Sequence, residues 1–486
     1  MFHKGTMFVV WLLLLLSITA CQSTQSESTN LPLEACQLNG DVTALCGRLS
    51  VPENREAADS RTIDLNIAVL PATNSITEDD PLFLLAGGPG QAATEAYPLA
   101  LSGFEDINST RDIVLFDQRG TGASAGFSCA ALEDENLETE VDPAEFVSLM
   151  QTCAGQLAEN ADLTRYTTDD HIADLEAVRE ALGYEQINVY GASYGTRAAM
   201  TYARRYPEHV RTLILDAVVG PDLILFQQMP RDGQRALEML FARCADDVAC
   251  QTQFPMFEQE FTDLLDQLAT PQEIGFTHPL SGEEEALTLT QDLFGNYIFN
   301  ILYSTDLVSL LPLLVHETHT SGDFGPLITQ AFMVGDSAGV NIGLLYTVTC
   351  AEDAPFIDME AAKAIQAETD FGLRAADFVE ICAAWPETAV ADDLHKPFMT
   401  DIPTLLLSGA ADPVTPPSYA EAVAAALPNH LHLIVPQFGH GNLGVGCIPK
   451  IAAQFINDGS ISDLEIDCVA DIQPAPFFTS FAGPEP

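Results

Sequence analysis

The sequence predicts an α/β fold in which a mostly parallel sheet is flanked by helices and a mainly helical cap is inserted into the chain. Three observations indicate this. Short, nearly all-apolar runs recur, as is typical of strands buried on both faces of a parallel sheet. Helical stretches separate most of these runs. The strand pattern is lost from about residue 221 to residue 396, becomes mostly helical, and then returns.

A pair of antiparallel strands opens the predicted sheet, because a charged turn separates the strand-like segments 47–52 and 62–69. A helix over 169–182 begins in an acidic cluster, carries apolar residues at helical spacing and ends at Gly183. Since strands and helices alternate, we expect right-handed βαβ units. The runs that we assign to buried strands are 82–86, 113–116, 187–190, 213–215, 404–407 and 432–435.

Length and composition favour one core with an insertion. The chain has 486 residues, of which 47% are hydrophobic and 18% charged, as in folded proteins that bury a large core. We therefore predict the first part of the core at 36–220, the cap at 221–396 and the rest of the core at 397–486. The formal net charge of −51 repels nucleic acid, so we expect no nucleic-acid partner.

The N-terminus carries the features of an export signal. Lys4 precedes an apolar run at 7–16 and a small-residue cleavage site, which predicts a signal peptide over 1–20. The run is too short to be a membrane-spanning helix. The residues that end at Cys21, Ile-Thr-Ala-Cys, resemble a bacterial lipobox, which implies that Cys21 is lipidated and holds the chain to a membrane through a polar, flexible tether over 21–35. Gln22 then implies sorting to the outer membrane, facing the periplasm or the cell surface.

The cysteine count agrees with export. There are 11 cysteines, and assigning Cys21 to lipid leaves ten that can pair in an oxidising compartment. Pairing of sequence neighbours is the simplest arrangement, although spacing alone does not fix connectivity. None of them has metal-ligand spacing with histidines, and we expect no metal or cofactor. The predicted bridges are Cys36–Cys46, Cys129–Cys153, Cys244–Cys250, Cys350–Cys382 and Cys447–Cys468.

The pattern Gly-x-Ser-x-Gly, which puts an exposed serine on a tight turn between a strand and a helix, occurs three times. Chance matches are common, so context decides between them. The copy with Ser124 lies in a glycine-rich loop without a strand before it. The copy with Ser337 lies within the cap without a good helix start behind it, and stays a minor rival. The copy with Ser193 follows strand 187–190 and precedes a helix, so we predict Ser193 as the nucleophile.

A serine hydroxyl needs a histidine to take its proton and a carboxylate to orient that histidine. Asp412 follows strand 404–407 and is the predicted acid, with a turn-forming Asp before proline as the alternative. His440 lies between two glycines after strand 432–435 and is the predicted base. His430 and His432 are explained by packing or solvent contact and are left out.

Two backbone N–H groups are expected to stabilise the oxyanion. Tyr194 follows the nucleophile at the start of its helix, where N–H groups point outward. Gly88 belongs to the loop 87–90 after strand 82–86, whose glycines permit close backbone approach. Pro89 in the same loop has no N–H and cannot donate.

Together these motifs resemble the proline iminopeptidase and tripeptidyl aminopeptidase family, peptidase family S33, with its TAP-like C-terminal region and α/β-hydrolase fold. The resemblance implies removal of residues from peptide N-termini, and an acidic group of the cap that receives the substrate's α-amino group. Ala86 departs from the histidine that many iminopeptidases have, as in the tripeptidyl branch. The motifs are 87–90, 117–122, 191–195, the Asp412 loop, and 439–441 followed by Cys447 and Cys468.

Glu352 is the candidate for that acidic group, because a carboxylate in a low-dielectric pocket pairs strongly with an ammonium. The alternative is a solvated glutamate in a very acidic protein. Asp117 and Arg119 are interpreted as structural, bracing their glycine loop by charge-assisted hydrogen bonds.

The leading hypothesis is a serine aminopeptidase that acts on peptides through a Ser-His-Asp triad and an acyl-enzyme. An esterase or lipase on the same fold is the second hypothesis, since a fold does not fix a substrate. A non-catalytic surface-binding protein is the third, and it is disfavoured because binding alone requires no triad. The sequence makes no prediction of oligomeric state.

Overall fold

The computed structural model describes residues 31–39, 42–129, 143–278, 281–335, 339–372 and 374–484. Nine strands form one sheet in the order β1-β2-β3-β5-β4-β6-β7-β10-β11, and β8 and β9 form a separate hairpin. The pairs from β5 to β11 are parallel, whereas β1, β2 and β3 pair antiparallel. The strands are β1 Glu34–Leu38, β2 Val42–Pro52, β3 Thr62–Leu70, β4 Leu82–Leu85, β5 Ile113–Phe116, β6 Ile187–Ala192, β7 Val210–Asp216, β8 Gln272–Thr277, β9 Glu284–Leu289, β10 Thr404–Gly409 and β11 His430–Val435.

The predicted mostly parallel sheet is confirmed, and each predicted strand is present. The sequence missed β1, because that strand lies at the sheet edge with mostly exposed side chains and has no apolar pattern. β1 pairs with β2, and Leu31 just before it is buried. Residues 34 and 35 therefore belong to the sheet, and the predicted tether over 21–35 ends too late. The signal peptide over 1–20 and Cys21 lie outside the described residues.

Helices surround the sheet, and most of those between β7 and β10 belong to the cap. The helix predicted at 169–182 is α4, which begins with a Thr167–Asp170 capping box and ends at Gly183, whose φ of 82° suits glycine. The helices are α1 Ala93–Ala96, α2 Glu105–Asn108, α3 Pro143–Asn160, α4 Thr168–Leu182, α5 Tyr194–Arg205, α6 Met229–Asp246, α7 Val248–Gln253, α8 Phe257–Gln267, α9 Gln291–Tyr303, α10 Thr305–Val308, α11 Leu311–Ser321, α12 Gly325–Gly335, α13 Ile342–Glu352, α14 Met359–Gln366, α15 Ala375–Cys382, α16 Pro417–Ala424 and α17 Ile448–Asp458.

Both faces of the central strands β4 to β7 and β10 are buried, as the apolar runs predict. Along β4, Phe83 and Leu85 point into the cluster under α4, α5 and α16, whereas Leu82 and Leu84 point into the opposite cluster under α17. This alternation follows from the two-residue period of a strand, so a strand between two helical layers must be apolar on both sides. Within the described residues, no helix combines the length and apolar character that crossing a bilayer requires.

The cap has its own apolar cluster, formed mainly by helices α6 to α12. The hairpin β8–β9 adds to it, with Phe276, Leu287 and Leu289 buried, so the cap is mainly but not wholly helical. Phe477 from the C-terminal tail also lies in this cluster. Arg243 of α6 covers the Phe477 ring, with its guanidinium carbon 4.2 Å from the ring centroid. The tail that follows the core thus packs on the cap.

The described residues form five disulfides, which pair their cysteines as sequence neighbours. Their Cα–Cα distances lie between 5.1 and 6.4 Å. Two of them lie within the cap and join α6 to α7 and α13 to α15. The pairs are Cys36–Cys46, Cys129–Cys153, Cys244–Cys250, Cys350–Cys382 and Cys447–Cys468.

A buried ion pair anchors the cap to the helix that follows the nucleophile. Arg197 of α5 donates from both Nη atoms to the carboxylate of Asp353, which follows α13, at 2.9 Å each. The Asp353 carboxylate also accepts the Leu225 N–H at 3.0 Å, and both charged side chains are buried. Because each partner would be costly to bury alone, the pair holds the cap and core in one arrangement.

We expect Asp353→Ala to lower the free energy of unfolding by about 3 kcal/mol, because the buried Arg197 guanidinium loses its two hydrogen bonds to a carboxylate and keeps, of its carboxylate contacts, only the longer one with Glu352. Urea denaturation measures this. The control is Asp377→Ala, which removes a half-exposed partner of Arg374 and should cost under about 1 kcal/mol. Arg197→Met combined with Asp353→Leu should recover part of the loss, and a double variant less stable than Asp353→Ala contradicts this account.

Candidate active site

Ser193 lies on a strained turn between β6 and α5, with φ 55° and ψ −126°. A non-glycine residue rarely adopts positive φ, and such strain concentrates at functional sites. The flanking glycines are required by close backbone contact. A Cβ on Gly191 would lie 2.2 Å from the Gly195 carbonyl oxygen, and one on Gly195 would lie 2.2 Å from the Leu85 carbonyl oxygen. The strand, turn and helix that the sequence predicts are therefore present, and the turn is possible only with this glycine spacing.

Asp412 and His440 form a hydrogen-bonded pair. The Asp412 carboxylate is fully buried and its Oδ2 lies 2.8 Å from His440 Nδ1. Its Oδ1 accepts the N–H groups of Val414 and Thr415 at 2.8 and 2.9 Å, and the Thr415 hydroxyl donates to Oδ2 at 2.8 Å. These donors fix the carboxylate, which in turn fixes the imidazole.

The charges of this pair shift both pKa values. Burial alone would raise the pKa of Asp412, but the contact with His440 and the backbone donors hold it below its ordinary value. Burial would lower the pKa of His440, but Asp412, and then Asp216, raise it. The imidazolium form of His440 is therefore stabilised, as a base that accepts a proton during the reaction requires.

The structure brings Asp412 and His440 into contact but does not close the hydrogen bond from Ser193 to His440. His440 Nε2 has no hydrogen-bond partner among the described residues. In unliganded sites this contact is often long and tightens when substrate binds. The nucleophile and base are nevertheless connected through Asp216, whose backbone oxygen accepts the Ser193 N–H at 2.9 Å.

Asp216 is a site residue that the sequence analysis missed. Its carboxylate is fully buried at the end of β7 and accepts the N–H groups of Asn442 and Leu443, which follow His440, at 2.8 to 2.9 Å. The Tyr190 hydroxyl donates to it at 3.0 Å. Burial raises the pKa of Asp216, against the effect of these donors. A signal was available, since a carboxylate directly follows the apolar run 213–215, but nothing in the sequence indicated what it binds.

Both predicted oxyanion donors lie beside Ser193. Tyr194 is the first residue of α5, so its N–H has no partner within the helix. Gly88, at φ 103°, follows Gly87, where a Cβ would lie 3.1 Å from Ser193 Cβ. Among the described residues, neither the Tyr194 nor the Gly88 N–H has a protein acceptor. Two free donors next to a serine are what a forming oxyanion requires.

Glu352 is not presented to a substrate in this structure. It is 1% exposed; its Oε1 accepts the Thr168 N–H at 2.6 Å and its Oε2 accepts the Thr168 hydroxyl at 2.8 Å. Arg197 Nη1 lies 3.5 Å from Oε2, and Thr168 Oγ1 also lies 2.8 Å from the Tyr194 hydroxyl. Burial raises the pKa of Glu352 to about 7. The alternative of a solvated glutamate is wrong, and the group braces the start of α4 and α5 instead.

Asp117 and Arg119 both brace the fold, but with separate partners. Asp117 accepts the Thr94 N–H and hydroxyl at 2.9 Å each, which holds the segment after the oxyanion loop. Arg119 pairs through two nitrogens with Asp174 of α4 at 2.7 Å. The two side chains are buried, in agreement with a structural role.

The remaining candidates lie away from the chemistry or outside the description. Ser124 is fully buried and its hydroxyl accepts the Asn66 N–H at 2.7 Å. His432 Nε2 contacts the Ser408 hydroxyl at 2.9 Å, and His430 Nδ1 contacts the Leu427 carbonyl at 2.6 Å. Ser337 lies outside the described residues. In the ranges that are described, no group of three or more His, Cys, Asp or Glu side chains is arranged to hold a metal ion.

Family models match two parts of the chain. Residues 80–300 match the alpha/beta hydrolase fold, and residues 368–468 match the TAP-like protein model. The first range contains Ser193 and the oxyanion loop, and the second contains Asp412 and His440. The class of protein is therefore that of the serine hydrolases with the alpha/beta hydrolase fold.

Comparison with named relatives narrows the class of serine hydrolase. The chain is 26% identical over 410 residues to the serine protease Hip1 of Mycobacterium tuberculosis, which covers 77% of each chain. It is 30% identical over 199 residues to the tripeptidyl aminopeptidase of Streptomyces lividans, covering 37% of each. It is 31% identical over 138 residues to a proline iminopeptidase of Xylella fastidiosa, covering 28% of this chain and 32% of that one. These similarities support a serine peptidase function.

We expect Asp216→Asn to move the acidic limb of the activity profile to lower pH. His440 must be neutral to accept a proton, and the negative charge of Asp216 helps to raise the His440 pKa. Removing that charge lowers this pKa, so activity persists further into acid. The rate at which a fluorophosphonate labels the serine, measured against pH, checks the shift. Asp64→Asn at an exposed position is the control, and an unmoved limb in Asp216→Asn contradicts the assignment.

Proposed function

We propose that this chain is a serine aminopeptidase that hydrolyses peptide bonds near the N-terminus of peptides. The observation that carries the proposal is the Asp412–His440 pair at 2.8 Å, connected through Asp216 to a strained Ser193 with two free N–H donors beside it. The family relatives named as a serine protease, a tripeptidyl aminopeptidase and a proline iminopeptidase support a peptide substrate.

The proposed reaction proceeds through an acyl-enzyme. His440 accepts the Ser193 proton as the hydroxyl attacks the peptide carbonyl, and Asp412 stabilises the imidazolium through Nδ1. The Tyr194 and Gly88 N–H groups donate to the oxyanion. His440 then gives its proton to the leaving amine, whose departure leaves the acyl group on Ser193. Water, deprotonated by His440, attacks the ester and releases the acid and the free serine.

The N-terminal preference requires an acceptor for the substrate's ammonium group, and Glu352 does not supply it in this structure because it is 1% exposed and its carboxylate binds Thr168. What supports the preference is the similarity to relatives named as a tripeptidyl aminopeptidase and a proline iminopeptidase. The proposal therefore includes a free α-amino group but assigns no residue to it.

We expect Ser193→Ala to lose both fluorophosphonate labelling and amide cleavage, by roughly 10⁴-fold or more, because the nucleophile is removed. Ser337→Ala should keep both. The test uses residues 22–486 as a soluble chain, with aminoacyl and tripeptidyl chromogenic amides. A label that persists in Ser193→Ala and disappears in Ser337→Ala contradicts the site.

Matched substrates distinguish an aminopeptidase from an esterase. Cleavage of free tripeptidyl or aminoacyl amides that is lost on N-acetylation supports the aminopeptidase. Cleavage of acetylated amides at the same rate contradicts the N-terminal preference. Labelling of Ser193 together with cleavage of esters but no amides identifies an esterase, and the peptidase proposal is then wrong.

We further propose that Cys21 carries lipid and holds the exported chain to the outer membrane, facing the periplasm or the cell surface. In support, ten of the 11 cysteines form disulfides, which persist in oxidising compartments, and Cys21 is the one that remains. We expect the wild type to partition into detergent and Cys21→Ala into water, measured by phase separation after expression in a bacterial host. Equal partition of the two contradicts the anchor.

A further inference from the structure

A cap residue reaches the loop that carries the catalytic acid. Arg235 lies on α6, and its guanidinium donates from Nη1 to the Ala410 carbonyl at 2.8 Å and from Nη2 to the Asp412 carbonyl at 3.0 Å. The planar fork of arginine fits two acceptors at once, which a lysine ammonium cannot match. One side chain of the cap therefore binds the carbonyl groups of both residues that flank Ala411.

Within the part of the chain that the structure describes, no other group donates a hydrogen bond to these two carbonyls. Its N–H groups are used on the core side, where Ala410 donates to Val435 at 3.0 Å and Ala411 donates to Phe438 at 2.8 Å. The loop is thus held by the core through its donors and by the cap through its acceptors. Loss of the guanidinium would free both carbonyls, and the peptide planes that aim the Asp412 side chain could then rotate.

Partial burial disfavours the charged form of Arg235. Burial lowers the pKa of Arg235, and its Nε is buried without a partner among the described residues. Two carboxylates, Asp232 and Asp412, lie close enough to favour the charged form, whereas Arg231 opposes it. The desolvation of this half-buried cation is offset by its hydrogen bonds to the acid loop and by the two carboxylates.

The cap also holds the base loop, and here it supplies the hydrogen-bond acceptors. The Thr305 hydroxyl accepts the Gly439 N–H at 2.8 Å, and the Tyr303 carbonyl accepts the His440 N–H at 3.3 Å. The Tyr303 ring stands edge-on to the His440 ring, with centroids 5.2 Å apart. The acid and the base therefore each depend on cap contacts for their place.

We propose that Arg235 is a positioning residue for the reaction: it fixes the backbone of the acid loop so that Asp412 meets His440 in the productive geometry. The cap is then part of the assembly that aligns the triad, in addition to covering it. The proposal rests on Ser193, Asp412 and His440 as the reacting groups, and it does not depend on whether the substrate is a peptide or an ester.

The test measures the second-order rate of fluorophosphonate labelling of Ser193 in full-length variants. We expect Arg235→Ala to label roughly 10- to 100-fold more slowly, since a small misplacement of a catalytic group costs rates of this order. Guanidinium ion added at millimolar concentration should restore much of the rate by occupying the vacated position. The control is Arg204→Ala at the C-terminal end of α5, which also removes a guanidinium bound to a backbone carbonyl, that of Lys396. It should label like the wild type and show no response to guanidinium.

The outcomes separate positioning from mere stability. If Arg235→Ala labels within about twofold of the wild type, or if its loss is not restored by guanidinium, the proposal is wrong. Should that variant fail to fold, Arg235→Lys is used instead, provided that its melting temperature equals that of the wild type. Slower labelling of Arg235→Lys than of the wild type then supports the proposal, and an equal rate overturns it. Because labelling needs no peptide, a failure here is distinct from failure of the aminopeptidase, which appears as labelling without amide cleavage.

Discussion

The structure depends on the left-handed backbone of Ser193, which is possible only because two glycines flank it. Neither Gly191 nor Gly195 has room for a Cβ, so β6, the turn and α5 approach each other at backbone distance. That approach turns the N–H of Tyr194 outward and brings the Gly87–Gly88 loop against the serine. The nucleophile and its oxyanion donors therefore arise from one local constraint, whereas the acid and base have to be brought in from more than 200 residues away.

The second half of the triad is aligned by contacts from two directions. Asp216 holds the nucleophile through its backbone and the base loop through its carboxylate. The cap holds the loops of Asp412 and His440 through Arg235, Thr305 and the Tyr303 carbonyl. Because Arg197 and Asp353 also tie the cap to α5, movement of the cap as one body would disturb each of the catalytic elements.

The sequence predicted what depends on local pattern and missed what depends on tertiary contact. The all-apolar strands and the turn at Ser193 were predictable because burial on both faces and glycine spacing leave signs in a few residues. β1 was missed because an exposed edge strand needs no apolar pattern. Glu352 was interpreted by analogy as a substrate acceptor, but its partners Thr168 and Arg197 come from elements 150 or more residues earlier and occupy it. The side chains of Asp216 and Arg235 bind backbone groups, and such contacts leave no recognisable motif in the sequence.

The packing of Phe477 makes the cap depend on a segment that follows the catalytic core in the sequence. The apolar cluster of the cap is built chiefly from residues 236–371, yet it includes a ring 106 residues further along the chain. The same cap binds the loops of the acid and the base. The alignment of Asp412 and His440 is therefore coupled, through the cap, to the packing of a segment 37 residues beyond His440.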